Sequence, residues 1–259
     1  MNLASLNRYQ ASFTHLLLSA IVLAIFFLLV FFVWYPAPYF YIEGTHTVIL
    51  LLICVDLVIG PLLTLVIFKP GKPGLKLDLS LIVVVQITAL LYGAYTIHSE
   101  RPYFVVFNAE QFTIVPASEL GKLNMQLLEP GIEYRHAGPS YVYIDRSSNL
   151  TMQMFKSIVS GPPIEHRPEF YKDFKSHISS HPGRGIDIEK LAAVSTHNTS
   201  IINALRARHP DASDLGLYPI QGKRRYAILV VNHRTADVID YLDINPWTSL
   251  PPANPAGRQ

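Results

Sequence analysis

Three long apolar runs dominate the first hundred residues. Residues 13–34 carry no charge and consist largely of Leu, Ile, Phe and Val. At about 1.5 Å rise per residue, a helix of that length crosses the roughly 30 Å hydrocarbon layer of a bilayer. The run outlasts the roughly 7–15-residue apolar core of a cleavable signal peptide, which predicts an uncleaved anchor. Residues 46–68 form a second span with one charge, Asp56, and residues 79–98 a third. Trp34, Tyr35, Tyr39 and Tyr41 follow the first span as an aromatic belt.

After residue 100 the pattern changes to short alternating and helical segments. Residues 103–107 and 112–115 are apolar or β-branched and flank Asn-Ala-Glu-Gln, which predicts a hairpin. Residues 141–145, 215–220, 226–232 and 238–243 read as further strands, the last three as a meander. Helical spacing predicts helices over 118–129, ended by Pro130-Gly131, and over 148–160, ended by Gly161-Pro162-Pro163. A weaker helix is predicted over 168–180, and a longer one runs from an Asp187 cap through Leu205. The fold class is therefore a membrane protein: three transmembrane α-helices (residues 1–100), then a mixed α+β domain (101–247) and a proline-rich, extended or disordered tail (248–259).

Charge orients this arrangement. Hydrophobic residues make up 50% of the 259 and charged residues 15%, against about 25% charged in soluble proteins, which excludes an ordinary soluble globule. Between Arg8 and Ser99 the only Lys, Arg, Asp or Glu residues are Glu43, Asp56, Lys69, Lys72, Lys76 and Asp78. Lys69, Pro70, Gly71, Lys72 and Lys76 belong to a Lys-Pro-Gly-Lys-Pro-Gly-Leu-Lys loop, where Pro and Gly stop the helix and three lysines crowd together. The loop between the first two spans has no Lys or Arg. The positive-inside rule then puts the N-terminus and the lysine loop in the cytoplasm, and the 35–45 loop and everything after residue 100 outside.

Asp56 falls near the middle of the second span. An acid there costs about 2.5–3.5 kcal/mol on insertion scales and normally faces protein or water. At helical spacing it shares a face with Gly60 and Thr64, with Pro61 beside them. In an antiparallel packing it lies level with residues 88–92 of the third span, where Gln86, Thr88, Tyr92, Tyr95 and Thr96 supply polar groups. Three readings follow. The stripe fixes helix packing by hydrogen bonds to Thr88 or Tyr92; or it receives a guest transmembrane helix; or it lines a proton or ion path, for which no inverted repeat is visible.

The outer part offers little chemistry. From Glu100 onward it carries 17 Lys/Arg and 16 Asp/Glu, a balance that gives no case for nucleic acid. Cys54 is the one cysteine, so no internal disulfide, Cys-based zinc site or Cys-x-x-Cys motif can form. There is no Gly-x-Ser-x-Gly, no phosphate-cradling loop and no His-Glu-x-x-His. His177 and His181 are four apart without a third ligand nearby, so no metal and no cofactor is expected. Lys223-Arg224-Arg225 reads as a solvated turn, and Asn149 and Asn198 begin glycan-acceptor triplets of a kind frequent by chance.

Several stretches together resemble a known family. They are Val55-Asp56-Leu57-Val58-Ile59-Gly60-Pro61-Leu62-Leu63-Thr64, Phe68-Lys69-Pro70-Gly71-Lys72, Leu77-Asp78-Leu79-Ser80, Tyr92-Gly93 and Arg101-Pro102. Arg167-Pro168-Glu169-Phe170-Tyr171 and the ending Asn245-Pro246-Trp247 follow. The chain is similar here to the TfpX/TfpZ family of type IV pilin accessory proteins, which usually carry Asp-Pro-Trp at that end; residues 117–160 match less clearly. The resemblance implies a bacterial inner-membrane, non-enzymatic assembly chaperone or modulator. Its expected partners are the cognate type IV major pilin, the pilus assembly platform and membrane lipid, and its outer domain is expected in the periplasm. The helix-docking face expected from the stripe comprises Asp56, Gly60, Pro61, Thr64, Gln86, Thr88 and Tyr92, with strand addition at a sheet edge as one way to hold the pilin head. The lysine loop is read first as orientation signal and turn. The alternative is a membrane-anchored periplasmic sensor or ligand-binding protein.

Overall fold

A computed structural model of the chain describes residues 6–108, 110–132, 137–144, 162–180, 185–210 and 214–249. It divides into two compact units, residues 1–40 with 44–101, and residues 41–43 with 102–259.

The first unit holds three helices long and apolar enough to cross a membrane: α1 (Arg8–Trp34), α2 (Thr45–Ile67) and α3 (Leu75–Ser99). Asn7 starts α1 with a capping box: its side chain accepts from Gln10 N at 2.8 Å, and Gln10 Oε1 accepts from Asn7 N at 3.0 Å. Helix α2 is not uniform. It widens into a π turn over Cys54–Ile59 before Gly60–Ile67 resumes the α form. Pro61 explains the defect, because it has no N–H and its ring crowds the carbonyl four residues earlier; one wider turn absorbs both problems. Gly71 and Gly74 adopt φ of +75° and +84°, which turns the Lys-Pro-Gly repeat back towards α3 and suits glycine alone. At this end Ala11, Phe68 and Leu75 are buried together, with Leu6 and Leu79 against them.

The second unit is built on a seven-stranded mixed sheet ordered β4-β3-β1-β2-β5-β6-β7. In chain order the strands are β1 (Pro102–Asn108), β2 (Gln111–Pro116), β3 (Ser140–Ile144), β4 (Tyr171–Asp173), β5 (Leu215–Gln221), β6 (Tyr226–Asn232) and β7 (Asp237–Leu242). The expected hairpin is β1–β2, and the expected meander is β5–β6–β7. Parallel pairing of β1 with β3 and of β2 with β5 joins them. Strand β1 is covered on both faces: Phe104, Val105, Val106 and Phe107 are all fully buried. Phe104 and Val106 pack with Val115, Val142 and Phe170. On the opposite face Phe107 meets the rings of Phe112, Tyr143, Phe174 and Tyr218. Leu217, Ile228 and Val230 bury Leu191 of α5 (Ile188–Ala193) and Ile202 and Leu205 of α6 (Thr196–Arg208).

Three helical expectations change. Residues 118–129 form two 3-10 turns, Ala117–Lys122 and Met125–Leu127, rather than one helix, since Gly121 and Asn124 are poor helix interior residues. Within 168–180 the chain forms a turn, then β4, then α4 (Phe174–Ile178), which the Asp173 side chain caps by accepting from Ser176 N at 2.8 Å. Tyr171 is drawn into the sheet because it is buried opposite Ile144. The helix capped by Asp187 ends at Ala193, and Ser195 caps a new one. Asn198 seals the joint by donating to Leu191 O at 3.0 Å. The helix expected over 148–160 lies outside the described residues. So does the tail beyond Ser249, after the single turn α7 (Pro246–Ser249).

Burial pushes the phenols of Tyr171 and Tyr218 well above their ordinary range, with neighbouring acids adding to the effect. The neutral form is thus the folded one. Unfolded phenols ionise from about pH 10, so this stability is intact below that pH and lost progressively above it. We expect the outer unit to unfold on alkaline titration, and the phenolate absorbance that a Tyr171→Phe, Tyr218→Phe variant lacks to rise in step with it. That part of the signal appearing while the fold is intact would contradict the burial of these two hydroxyls.

Candidate functional site

Five of the seven residues of the polar stripe turn inward. Ser12 and His15, three apart on α1, meet α2: Ser12 Oγ donates to Pro61 O at 2.8 Å, and His15 Nδ1 lies 2.7 Å from Thr64 Oγ1. His15 Nε2 lies 2.6 Å from Gln86 Oε1 on α3. An amide oxygen only accepts, so this ring nitrogen carries the proton. The same amide is then turned so that Gln86 Nε2 donates to Asp56 O at 3.3 Å. One imidazole and one amide therefore tie three helices together. Such interhelical bonds average about 0.6 kcal/mol each and reach about 1.7.

Gly60 makes the junction possible. A Cβ there would lie 2.1 Å from Gln86 Nε2. A Cβ at Gly93 would likewise meet the Leu52 side chain at 2.8 Å. Asp56 is 5% exposed, and its Oδ1 has no hydrogen-bond partner among the described residues. Its neighbour on α3 is Gln86, not Thr88 or Tyr92. Thr88 Oγ1 donates to Val84 O of its own helix at 2.8 Å, and Tyr92 is 73% exposed. Gln86 lies just outside the 88–92 stretch expected to be level with Asp56, and the rotation of α3 differs as well. Of the seven stripe residues, Asp56, Gly60, Pro61, Thr64 and Gln86 meet inside the bundle, while Thr88 and Tyr92 lie on its outer surface. Ser12 and His15 escaped the sequence reading, since two polar residues at the head of an otherwise apolar run carry no sign of what they face.

The lysine loop turns as its Pro-Gly pairs require. Lys72 Nζ pairs with Asp78 Oδ2 at 2.6 Å, and Lys69, Gly71 and Lys76 are exposed, as is Pro70.

In the outer unit, Asp214, His233 and Tyr218 form a chain. His233 Nδ1 lies 3.1 Å from Asp214 Oδ1, and its Nε2 lies 2.9 Å from the Tyr218 hydroxyl. Tyr218 is fully buried and does not line the domain's surface cavity. The triplet therefore locks β5 to the turn after β6. That cavity, about 230 Å³, is lined by Tyr141, Phe174, Lys175 and Asp237 among others, with Lys175 and Asp237 paired at 2.6 Å. His177 stacks on Tyr143 and approaches Asp173 O at 3.0 Å; His181 lies outside the described residues. No cluster of three metal-capable side chains occurs among the described residues. The turn carrying Lys223, Arg224 and Arg225 holds the segment between α1 and α2. Arg224 N and Arg225 N donate to Ile42 O at 2.9 and 3.1 Å, and Lys223 N donates to Glu43 Oε1 at 3.3 Å.

Three apolar helices followed by a mixed-sheet domain define the class of protein. The fimbrial assembly protein FimB family profile matches residues 5–44, a stretch taking in Ser12 and His15. Three fimbrial assembly proteins of Dichelobacter nodosus are similar. That of serogroups C1 and C2 is 40% identical over 109 residues, which is 41% of this chain and 82% of that protein. Those of serogroups I and E1 are each 39% identical over 109 residues, covering 41% of this chain and 42% of theirs. The chain thus spans about two fifths of the length of these last two. It belongs to the fimbrial assembly protein family. No solved structure matches it.

Proposed function

We propose that this protein is an inner-membrane helper of the TfpX/TfpZ kind, which holds a type IV major pilin by its transmembrane helix before assembly. The observation that carries the docking site is an outward stripe on α3. Thr88, Leu91, Tyr92 and Tyr95 are spaced three, one and three apart and so share one helix face. Tyr92 and Tyr95 are 73% and 72% exposed. Tyrosine hydroxyls at such a surface favour a partner over lipid tails. The inward residues Asp56, Gly60, Pro61, Thr64 and Gln86 keep that stripe rigid. The outer domain reads the pilin head, and β7, the longer edge strand, is the place for strand addition.

Topology supports the reading. Residues 41–43 belong to the same compact unit as residues 102–259. That grouping supports a loop after the first span and an outer domain on the same side of a membrane, as three spans require. The cytoplasmic N-terminus and lysine loop follow from charge.

The test is a pull-down of the full chain from its host in mild detergent. We expect the major pilin to co-purify. Tyr92→Leu with Tyr95→Leu should cut its recovery about tenfold, in line with buried tyrosine anchors elsewhere, and should leave helix content unchanged. Full recovery with the double variant removes the stripe from the dock. No pilin with the unaltered chain, and a small molecule bound in the 230 Å³ cavity instead, favours the sensor reading.

A further inference from the structure

We infer that the cleft between α2 and α3 is a site for one anionic glycerophospholipid, with an acyl chain in the cleft and the phosphate at the lysine loop. The cleft has a volume of about 250 Å³ and lies wholly within the first unit. Its walls are apolar: Val55, Ile59, Leu63 and Ile67 from α2, each four residues from the next, and Leu81 and Val85 from α3. Gly60 deepens it by lacking a side chain, and Gln86 closes the floor.

Size and length select the occupant. A helix with its side chains is about 10–12 Å across and could lay no more than a ridge on so narrow a cleft. An acyl chain threads it. From Val55 to Ile67 the helix rises about 18 Å, close to the roughly 15 Å depth of a single leaflet's hydrocarbon. Ser12 already meets Pro61 of α2 and His15 meets Gln86 of α3, and among the described residues none of α1 lines the cleft, so it opens on the side away from α1.

Charge then selects the headgroup. Asp78 lines the end of the cleft beside the 68–74 turn. Its negative charge is matched by Lys72 at 2.6 Å, leaving Lys69 and Lys76, both exposed, as surplus cations at that mouth. Arg8, at the start of α1, adds a third at the same end, where Phe68 and Leu75 pack on Ala11. Basic groups at a gap between transmembrane helices favour anionic lipid. The site is separate from the Tyr92–Tyr95 stripe and stands or falls without the pilin.

The test uses the full chain in mild detergent, where lysines no longer govern orientation. It is titrated with phosphatidylglycerol and with phosphatidylcholine, and bound lipid is counted by native mass spectrometry. We expect one phosphatidylglycerol retained with about tenfold preference. Lys69→Gln with Lys76→Gln should erase the preference and leave weak binding of both lipids. Val85→Trp, which fills the cleft, should remove both. Equal binding of the two lipids by the unaltered chain overturns the proposal, as does a preference that survives the double glutamine variant. Because Val85→Trp disturbs packing, the surface lysine variant decides if the tryptophan variant does not fold.

Discussion

Gly60→Leu is expected to unfasten the three-helix bundle, costing about 2–4 kcal/mol as measured by thermal unfolding in detergent. Even a Cβ at this position would sit 2.1 Å from Gln86 Nε2 and 2.7 Å from Gln86 Cδ. The amide must therefore leave, and it cannot leave alone. Its oxygen holds His15 at 2.6 Å and its nitrogen reaches Asp56 O at 3.3 Å. Displacing it strands an imidazole N–H in hydrocarbon beside an acid that already has one unpartnered oxygen. A buried polar group without a partner typically costs about 1–3 kcal/mol, and overpacking adds a similar amount. Gly60→Ala should cost less, because a glutamine end can swing further than backbone can. A double-mutant cycle makes the claim specific: Gly60→Ala should be nearly harmless once Gln86 is also Ala. Additive costs would mean that the glycine and the amide are not in contact.

How much of this was legible in the sequence depends on the length scale of the cue. The three spans were plain, because a run of some twenty apolar residues has few other uses. The height of Asp56 against α3 was readable to within one helical turn, since antiparallel packing sets it once the loop is located and Gln86 lies next to the expected 88–92 stretch. Its rotation was not. Asp56, Gly60, Pro61 and Thr64 of α2 were placed together and are together, but α3 carries polar residues on more than one face, and nothing in the sequence says which of them turns to meet Asp56. Glutamine is the partner because it turns inward, where its amide accepts from His15 and donates to Asp56 O at once, whereas Thr88 bonds back to its own helix and Tyr92 is exposed. In the outer unit the adjacent pairs β1–β2 and β5–β6–β7 were visible from turn residues. The parallel pairings β1–β3 and β2–β5 were not, because their partners lie far apart in sequence and are chosen by which buried faces fit. Tyr171–Asp173 is three residues long, too short to show a period, and its strand identity comes from burial of Tyr171 alone.

The polar side chains buried in the first unit and those exposed on it divide along a physical line. Polar groups inside the bundle are largely paired, and pairing makes them glue. Polar groups on its outer surface, Tyr92 and Tyr95 among them, are exposed. If the proposed helper binds one apolar helix and lets it go, this split would serve it, since a docking face could then change occupancy without loosening the fold that presents it.

Gly222→Val is expected to lower the thermal midpoint of the outer unit by about 6–12 °C. A Cβ at residue 222 would meet Ile42 O at 2.5 Å, Ile42 C at 2.6 Å and Ile42 Cβ at 2.8 Å. The first two are backbone atoms, so no side-chain swing relieves the clash. The carbonyl being struck accepts from both Arg224 N and Arg225 N, and the adjacent Glu43, itself buried, accepts from Lys223 N. Moving the strap of residues 41–43 away to make room breaks three hydrogen bonds and exposes Glu43 to a changed setting. About 3 kcal/mol is a reasonable sum for such a set, and a domain of this size shifts by about 2–4 °C per kcal/mol. Gly121→Val is the control: nothing lies within 4 Å of a Cβ there, and its midpoint should not move. If Gly222→Val leaves the outer unit as stable as that control, the segment between the first two spans is not anchored on the turn between β5 and β6. The same-side placement of loop and domain would then rest on the count of spans and on charge alone.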